Sequence, residues 1–337
     1  MRKILYGLLS LMLFLTGCKE KTIEEKQKIR IGISYYDSYD PFIMELSSRI
    51  EKQLNAYENV IVKSVDSEKS QSTQNRQVSD MLNDSYDVIC VNLVDRTAPK
   101  KIISMAEDSN VPIVFFNREL VSQDLESWTR LYYVGADANE SGKMQGEIVS
   151  DYIKEHPEVD KNQDGKIQYI ILEGETGHQD AIVRTDVSIQ TISDEGIVLE
   201  KLSFAIANWN RSQACTKTKQ LISKFNTDIE LILANNDEMA IGAIQALNEN
   251  GIAKEQWPIV IGIDGTEDGL EQVKEGNMIG TVYNDGIMQA DAIADLSIVL
   301  AKNESLDSFD LKNGRYIRSP YQKVTSENVD DYLRLLQ

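Results

Sequence analysis

The segment KIRIGISYYDSYDPFIMELSSRIEKQLNAY, residues 28–57, sets a pattern that the rest of the chain repeats. Its first part, KIRIGISYY (28–36), is a short apolar run of the kind that forms a strand. The following PFIMELSSRIEKQLNAY (41–57) has apolar residues at helical spacing. This unit predicts a buried strand that leads into an amphipathic helix.

The same alternation continues along the chain. Helix-like patterns cover 73–82 and 100–108, and strand-like runs lie at 60–65, 86–94, 111–117, 167–174, 197–205, 229–235, 259–264 and 280–284. Continuous apolar strands separated by helices predict an α/β fold whose parallel sheets are covered on both faces. About 300 residues in this rhythm exceed one core, so we expect two domains. The plainest break lies at 131–137.

The charge balance excludes one class of partner. The 337-residue chain has 54 acidic and 35 basic residues, which gives a net charge of -19 at pH 7. Such a surface repels nucleic acid phosphates, so we expect no DNA or RNA partner.

The first residues predict export. Arg2 and Lys3 precede an apolar run, 4–15, that is too short for a comfortable membrane span. Leu-Thr-Gly-Cys, ending at Cys18, resembles the lipobox of bacterial lipoproteins. That resemblance implies a signal peptide over 1–17, a lipid on Cys18, a charged tether over 18–28, and anchoring to the bacterial cell membrane outside the cytoplasm. A plain secretory signal with an incidental cysteine is the alternative.

Two further cysteines, Cys90 and Cys215, fall in a strand-like and a helix-like run. No spacing motif connects them, so buried free thiols are expected and a disulfide stays open.

Polar side chains cluster where the predicted strands end. Ligands of open α/β sheets sit beyond the carboxyl ends of the strands. The side chains at those ends are Asp40, Asn92, His178, Asp180, Arg184, Asn236, Asp264 and Asn284, and Phe42 and Trp209 are aromatic residues nearby. Each Asp or Asn alone is equally explained as a helix N-cap, and Asp180 with Arg184 as a surface pair four residues apart. Together, carboxylates, amides, one arginine and aromatic faces suit a neutral polyol such as a sugar.

The segment DKNQDGKIQ, residues 160–168, begins like a calcium loop. Asp160, Asn162 and Asp164 occupy loop positions one, three and five, and Gly165 stands at the sharp turn. Ile171 stands where an EF-hand has its final glutamate. A solvated turn without metal is the alternative reading of this segment.

The chain from about residue 30 onward resembles bacterial periplasmic glucose/galactose-binding proteins, the type I sugar-binding components of ABC importers. The resemblance is carried by RIGISYYDSYDPF, NLVD, VPIVFFN, YYVGADANESG, DKNQDGKIQ, LEGETGHQDAIVRT, LILANNDEMAIGA, IGIDG and GTVYND. It implies two doubly wound parallel-sheet lobes joined by a three-segment hinge. The implied N-terminal lobe covers 29–134 and 286–319, and the C-terminal lobe covers 137–283 and 321–337.

The resemblance also implies roles for individual residues. Phe42 and Trp209 correspond to the family's aromatic clamp, and the eight polar residues at the strand ends correspond to its sugar-binding set. The carboxylate at the position of Asp40 meets the 4-hydroxyl in that family and accepts both epimers, which implies binding of glucose and galactose. Pro41 and Gln179 depart from the family pattern and could alter the epimer preference.

The resemblance completes the calcium loop with a distant glutamate. The implied ligands of a structural Ca²⁺ are Asp160, Asn162, Asp164, the Lys166 carbonyl, Gln168 and Glu230.

The expected function is capture of a monosaccharide by a monomeric, non-enzymatic lipoprotein, whose closed form docks on ABC permease subunits or on a chemoreceptor. A lipoprotein that presents sugar to a membrane sensor, and a binder of another hexose or hexoside, are the alternatives. A glycosidase is disfavoured because Arg184 would keep Asp180 ionised and unfit as a general acid. A sugar-responsive repressor is disfavoured because an export signal replaces the DNA-binding segment.

Overall fold

The computed structural model describes residues 28–336. The predicted signal peptide, Cys18 and most of the predicted tether lie outside the described residues. No helix among the described residues is long and apolar enough to cross a membrane.

The described chain contains two six-stranded sheets. The first sheet and its helices are β1 (Ile29–Tyr35), α1 (Pro41–Asn55), β2 (Val60–Asp66), α2 (Gln71–Asn83), β3 (Val88–Val91), α3 (Lys100–Ser109), β4 (Ile113–Phe116), α4 (Ser122–Leu125), β5 (Leu131–Ala136), α10 (Gly286–Ala301) and β11 (Tyr316–Ser319). The second comprises α5 (Ala138–Glu155), β6 (Ile167–Glu173), α6 (Gln179–Asp194), β7 (Leu199–Ile206), α7 (Arg211–Phe225), β8 (Leu231–Ala234), α8 (Asp237–Glu249), β9 (Ile259–Ile261), α9 (Glu267–Lys274), β10 (Gly280–Asn284), β12 (Tyr321–Thr325) and α11 (Val329–Leu336).

The two sheets have corresponding strand orders, β11-β5-β4-β3-β1-β2 and β12-β10-β9-β8-β6-β7. In each, the chain starts inside the sheet, adds one edge strand, and then returns to the other side of its first strand. The switch points therefore lie between β1 and β3 and between β6 and β8, where α/β sheets open a crevice for ligands.

Each sheet is buried on both faces, which explains the continuous apolar strands of the sequence. In β3, for example, Cys90 packs into one hydrophobic cluster and Ile89 into the cluster on the opposite face. The second sheet likewise separates two clusters, with Ile170 and Ile171 of β6 on opposite faces. The α/β prediction with two sheet-centred lobes is confirmed.

One strand departs from the expected parallel arrangement. β12 pairs with β10 antiparallel, from Gly280 opposite Thr325 to Asn284 opposite Tyr321. β11 runs parallel to β5, so it ends at the carboxyl edge of its sheet. Since only Pro320 separates β11 from β12, the chain enters the second sheet at that same edge and must run backwards.

The chain passes between the two sheets at three places. It crosses after β5, after β10 and at Pro320 between β11 and β12. Each lobe is consequently assembled from segments far apart in sequence, and both present the carboxyl ends of their strands to a common cleft.

Candidate functional site

A cleft lies between the two lobes. It is lined by Asp40, Phe42, Asn117 and Arg118 from the first lobe and by His178, Asp180, Arg184, Trp209, Asn236 and Asp264 from the second. Eight of the ten residues predicted to bind sugar are thus brought together, although they are spread over 225 positions of sequence (264 - 40 + 1).

Three of the lining residues also begin helices. Asp40 Oδ1 accepts from the Ile43 amide at 3.2 Å, and Asn236 Oδ1 accepts from the Met239 amide at 3.0 Å. His178 Nδ1 accepts from the Asp180 amide at 3.1 Å. Because a capping residue stands at the mouth of its helix, its remaining polar atoms reach the carboxyl edge of the sheet. Capping and cleft lining are therefore compatible roles for the same side chain.

Asp40 is held by a second donor. The hydroxyl of Tyr36, two per cent exposed, donates to Asp40 Oδ2 at 2.7 Å. Burial raises the pKa of the Asp40 carboxyl, and the hydrogen bonds from Tyr36 and the Ile43 amide oppose that rise. Each oxygen of Asp40 already accepts one bond, so the carboxylate is fixed in orientation.

Arg184 is the central cation of the second lobe. It donates to the carbonyl of Asn235 and to the hydroxyl of Tyr321, both at 2.9 Å. Asp180 and Asp264 lie 3.5 and 3.6 Å from its guanidinium. Nε of Arg184 is buried and has no hydrogen-bond partner among the described residues.

Of the two acids beside Arg184, Asp264 is buried and Asp180 is partly buried. Burial raises the pKa of Asp180, and raises that of Asp264 well above its usual range, while Arg184 opposes both shifts. Arg184 thus offsets part of the cost of burying the two carboxylates, without reversing the upward shift of either pKa. Two carboxyl groups beside one guanidinium offer the acceptors that a set of hydroxyl donors would need.

His178 is neutral in this environment. Burial, with the positive charges of Arg118, Arg184 and Arg96, holds its pKa well below the usual value. Its ring meets that of Trp209 edge to face, with centroids 5.0 Å apart.

Three lining residues adopt uncommon backbone conformations. Asn117 has φ +59°, Trp209 has φ +60° and Asp264 has φ +117°. Non-glycine residues in this region carry strain that the surrounding structure must hold in place. Beneath Trp209, a Cβ at Gly174 would lie 2.1 Å from the indole ring, so only glycine allows this close approach.

Two predicted residues lie elsewhere. Asn284 lines an adjoining pocket that shares Phe42 and Asp264 with the cleft, and its Oδ1 accepts from Gln289 at 2.6 Å. Asn92 is fully buried behind the cleft, where its amide donates to Phe116 and Asn117 and accepts from Tyr36. In this structure Asn92 supports Asn117 and does not line the cleft.

Asn117 and Arg118 were missed by the sequence reasoning. They follow β4 directly, so the rule that selected the other strand ends would also have found them. Asn117 has φ +59°, and Arg118 is four per cent exposed.

The predicted calcium loop is folded around its own side chains. Asp160 accepts from the amides of Asp164 and Gly165, and Glu230 Oε1 and Oε2 accept from the amides of Lys161 and Gln168 at 2.6 and 3.0 Å. Glu230 is one per cent exposed. Within residues 28–336 no three Asp, Glu, His or Cys side chains form a metal-binding group, so carboxylates alone do not make this a site.

Both described cysteines are free and buried. Cys90 Sγ lies 3.3 Å from the Ser297 hydroxyl, and Cys215 is in α7. Burial raises the pKa of the Cys90 thiol to about 12, which makes it unreactive.

Comparison with known proteins identifies the family. A model described as "periplasmic binding protein domain" matches residues 31–305. The chain belongs to the periplasmic binding protein family. This family consists of binders located outside the cytoplasm, and membership confirms the resemblance and the fold class predicted from the sequence.

Several relatives share nearly the full length. The D-galactose/methyl-galactoside binding periplasmic protein MglB of Haemophilus influenzae is 36% identical over 90% of this chain and 92% of its own. The xylitol-binding protein of Mycolicibacterium smegmatis is 30% identical over 94% of this chain and 83% of its own. An ABC transporter solute-binding protein from Bacillus halodurans, solved with bound myo-inositol, is 28% identical with a TM-score of 0.79, covering 92% of this chain and 99% of that one.

Proposed function

We propose that this binding protein captures D-galactose and D-glucose in the interlobe cleft and delivers them to an ABC sugar permease. The observation that carries the proposal is the lining of the cleft: three aspartates, the buried Asp264 and the partly buried Asp40 and Asp180, share it with Arg184, Asn236 and two aromatic residues. The 36% identity to a galactose-binding protein supports the hexose.

The chemistry favours a neutral polyol. Each sugar hydroxyl donates one bond and accepts others, so it can donate to an aspartate while accepting from Arg184 or an amide. Aromatic faces suit the C–H faces of a pyranose, and Phe42 and Trp209 line opposite lobes of the cleft. A phosphate or carboxylate ligand would meet three carboxylates in the same small space.

Closure of the two lobes is the proposed mechanism. The lobes contribute different groups to one cleft, so a ligand that contacts both stabilises the closed arrangement. Two polar contacts already cross it: Arg118 to Glu175 at 2.9 Å and Arg96 to Gln179 at 2.5 Å. Gln179, a departure from the family pattern, thus contributes to the contact between the lobes.

Two further features belong to the proposal. A lipid on Cys18 would anchor the protein to the membrane, close to a permease, a chemoreceptor or a membrane sensor.

A structural Ca²⁺ would be bound by Asp160, Asn162, Asp164, the Lys166 carbonyl, Gln168 and Glu230. Oxygen ligands of this mixture favour calcium over zinc.

The calcium proposal is supported by the burial of Glu230. Its carboxylate faces two backbone amides, while the nearby Lys161 ammonium donates to the carbonyls of Ile229 and Gln256 instead. A buried carboxylate without a paired cation fits a site for a hard cation.

Calorimetric titration of the full chain in mild detergent tests the proposed ligand. Glucose, galactose, ribose, xylose, xylitol and myo-inositol would be added separately. Micromolar or tighter binding of the two hexoses, with weak binding of the others, is expected. Preference for a polyol or pentose would reassign the ligand, and heat from none of the six would overturn the proposal.

A further inference from the structure

One ion pair connects the two lobes at the edge of the cleft. Arg118 follows β4 in the first lobe and Glu175 follows β6 in the second, and Arg118 Nη1 lies 2.9 Å from Glu175 Oε2. The same Nη1 donates to the Val94 carbonyl at 3.1 Å. Separation of the lobes would remove Glu175 from Arg118 and leave the other bond, which lies within one lobe.

The same arginine packs on a tyrosine that holds a cleft carboxylate. The Arg118 guanidinium carbon lies 3.5 Å from the centroid of the Tyr36 ring. This is close enough for a cation–π contact, which is strengthened when both groups are buried. The Tyr36 hydroxyl donates to Asp40 at 2.7 Å. A continuous series of contacts therefore runs from Glu175 through Arg118 and Tyr36 to Asp40.

We infer that Tyr36 and Glu175 are positioning residues for the sugar site: Glu175 fixes Arg118 on closure, Arg118 fixes the Tyr36 ring, and Tyr36 orients Asp40. Neither Tyr36 nor Glu175 is among the residues that line the cleft. Their effect on a ligand must therefore pass through Arg118 and Asp40. The inference rests on the proposed function, since it assigns Asp40 a role in ligand binding.

The geometry explains why Asp40 needs this support. Its Oδ1 accepts from the Ile43 amide at 3.2 Å, a long bond that alone leaves the carboxylate free to rotate. The shorter bond from Tyr36 fixes Oδ2. With both oxygens held, the remaining lone pairs of Asp40 have one orientation toward the cleft, which lowers the cost of ordering a ligand.

The test is a double-mutant cycle measured by calorimetry on the full chain in mild detergent, with galactose and glucose as probes. Tyr36→Phe removes the hydroxyl and keeps the ring, and Glu175→Gln removes the charge and keeps the shape. Tyr35→Phe and Glu173→Gln are the matched controls, because these residues end the strands that lead to Tyr36 and Glu175. No hydrogen bond or ion pair from either side chain is found among the described residues. Each test variant is expected to weaken affinity about ten-fold, the effect of one charge-assisted hydrogen bond.

The coupling between the two substitutions distinguishes a positioning role from independent structural damage. The double variant is expected to be clearly less impaired than the product of the single effects, because both changes interrupt one series of contacts. Multiplicative effects, or single variants that bind like the controls, would overturn the inference.

A second measurement decides the matter independently of the ligand's identity. If the wild-type chain binds neither hexose, the proposed function is wrong, and hydrogen–deuterium exchange without ligand then tests the connection. Glu175→Gln is expected to speed exchange in both 116–119 and 174–180, on opposite lobes, relative to Glu173→Gln. Equal exchange in the two variants would overturn the inference.

Discussion

At the residue scale, Asp40, His178 and Asn236 each combine a structural and a binding position. Each caps a helix with one polar atom and lines the cleft. Asp264, by contrast, caps no helix, since Thr266 caps α9. A substitution at Asp264 should therefore separate binding from helix stability better than one at the three caps.

Trp209→Ala is expected to lower sugar affinity at least ten-fold, because one face of the cleft loses its aromatic ring. Calorimetry with galactose measures the change, and Trp209→Phe, which keeps a ring, should lose less. The control is removal of Trp257. Its half-buried indole lies in the segment between α8 and β9 and donates to the Ile252 carbonyl. Unchanged affinity in Trp209→Ala would remove the residue from the site.

His178→Asn should change how stability depends on pH. Burial lowers the pKa of His178 well below 6.5, so the unfolded chain takes up its proton first as the pH falls. The stabilising effect of the neutral ring is present above pH 6.5 and is lost below it. Asn retains the N-cap and has no titration.

Urea unfolding at pH 7.5 and 5.5 measures this contribution. Between pH 7.5 and 5.5 the free energy of unfolding of the wild type is expected to fall by about 1 kcal/mol more than that of His178→Asn, because the pKa of His178 is lowered in the folded state. An equal loss in both proteins would show that His178 titrates alike in the folded and unfolded chain.

At the element scale, the first strand–helix unit was predicted closely, because its apolar residues report burial directly. The structure has β1 at Ile29–Tyr35 and α1 at Pro41–Asn55, within two residues of the predicted ends. β11 and β12 were not predicted as strands. Their partners are about 180 and 40 residues away, and pairing at that distance leaves no local periodicity.

The candidate site was likewise predictable only in part. The strand ends give Asp40, Asp180 and Asp264 by the general rule for α/β sheets. Which side chain turns toward the cleft depends on packing that the sequence does not express. Asn92 turns away to support Asn117, and Arg118 lies in an ion pair with Glu175 of the other lobe.

The calcium loop provides a prediction for one element. Glu230→Gln should lower the melting temperature more in calcium than in chelator: one backbone amide loses its acceptor in both, and the stabilisation by a bound ion is lost only in calcium. Differential scanning calorimetry with calcium and with a chelator measures the difference. Asp228→Asn, an exposed acid two residues away, is the control. An equal loss in chelator would exclude Glu230 as a ligand.

At the scale of the whole molecule, lobe closure depends on the three crossings. Pro320 stands exposed in the shortest of them, between β11 and β12. Pro320→Gly adds backbone freedom at this crossing, so the closed state costs more to order, by about 0.4–1 kcal/mol. Sugar affinity should fall about two- to five-fold with the cleft residues unchanged.

Calorimetric titration of Pro320→Gly against galactose checks this expectation. Pro157→Gly is the control, since Pro157 is also exposed but lies after α5 within one lobe. A similar loss in both variants would attribute the effect to general loosening of the chain and not to the hinge.

The three crossings also determine when the protein can fold during synthesis. The first sheet is complete only when β11 has been made, and the second only when β12 follows it, after all ten other strands. No early portion of the nascent chain can form a finished lobe. Both lobes therefore complete their sheets nearly together, after every earlier strand has been made, which suits a chain that must be threaded through a membrane before it folds.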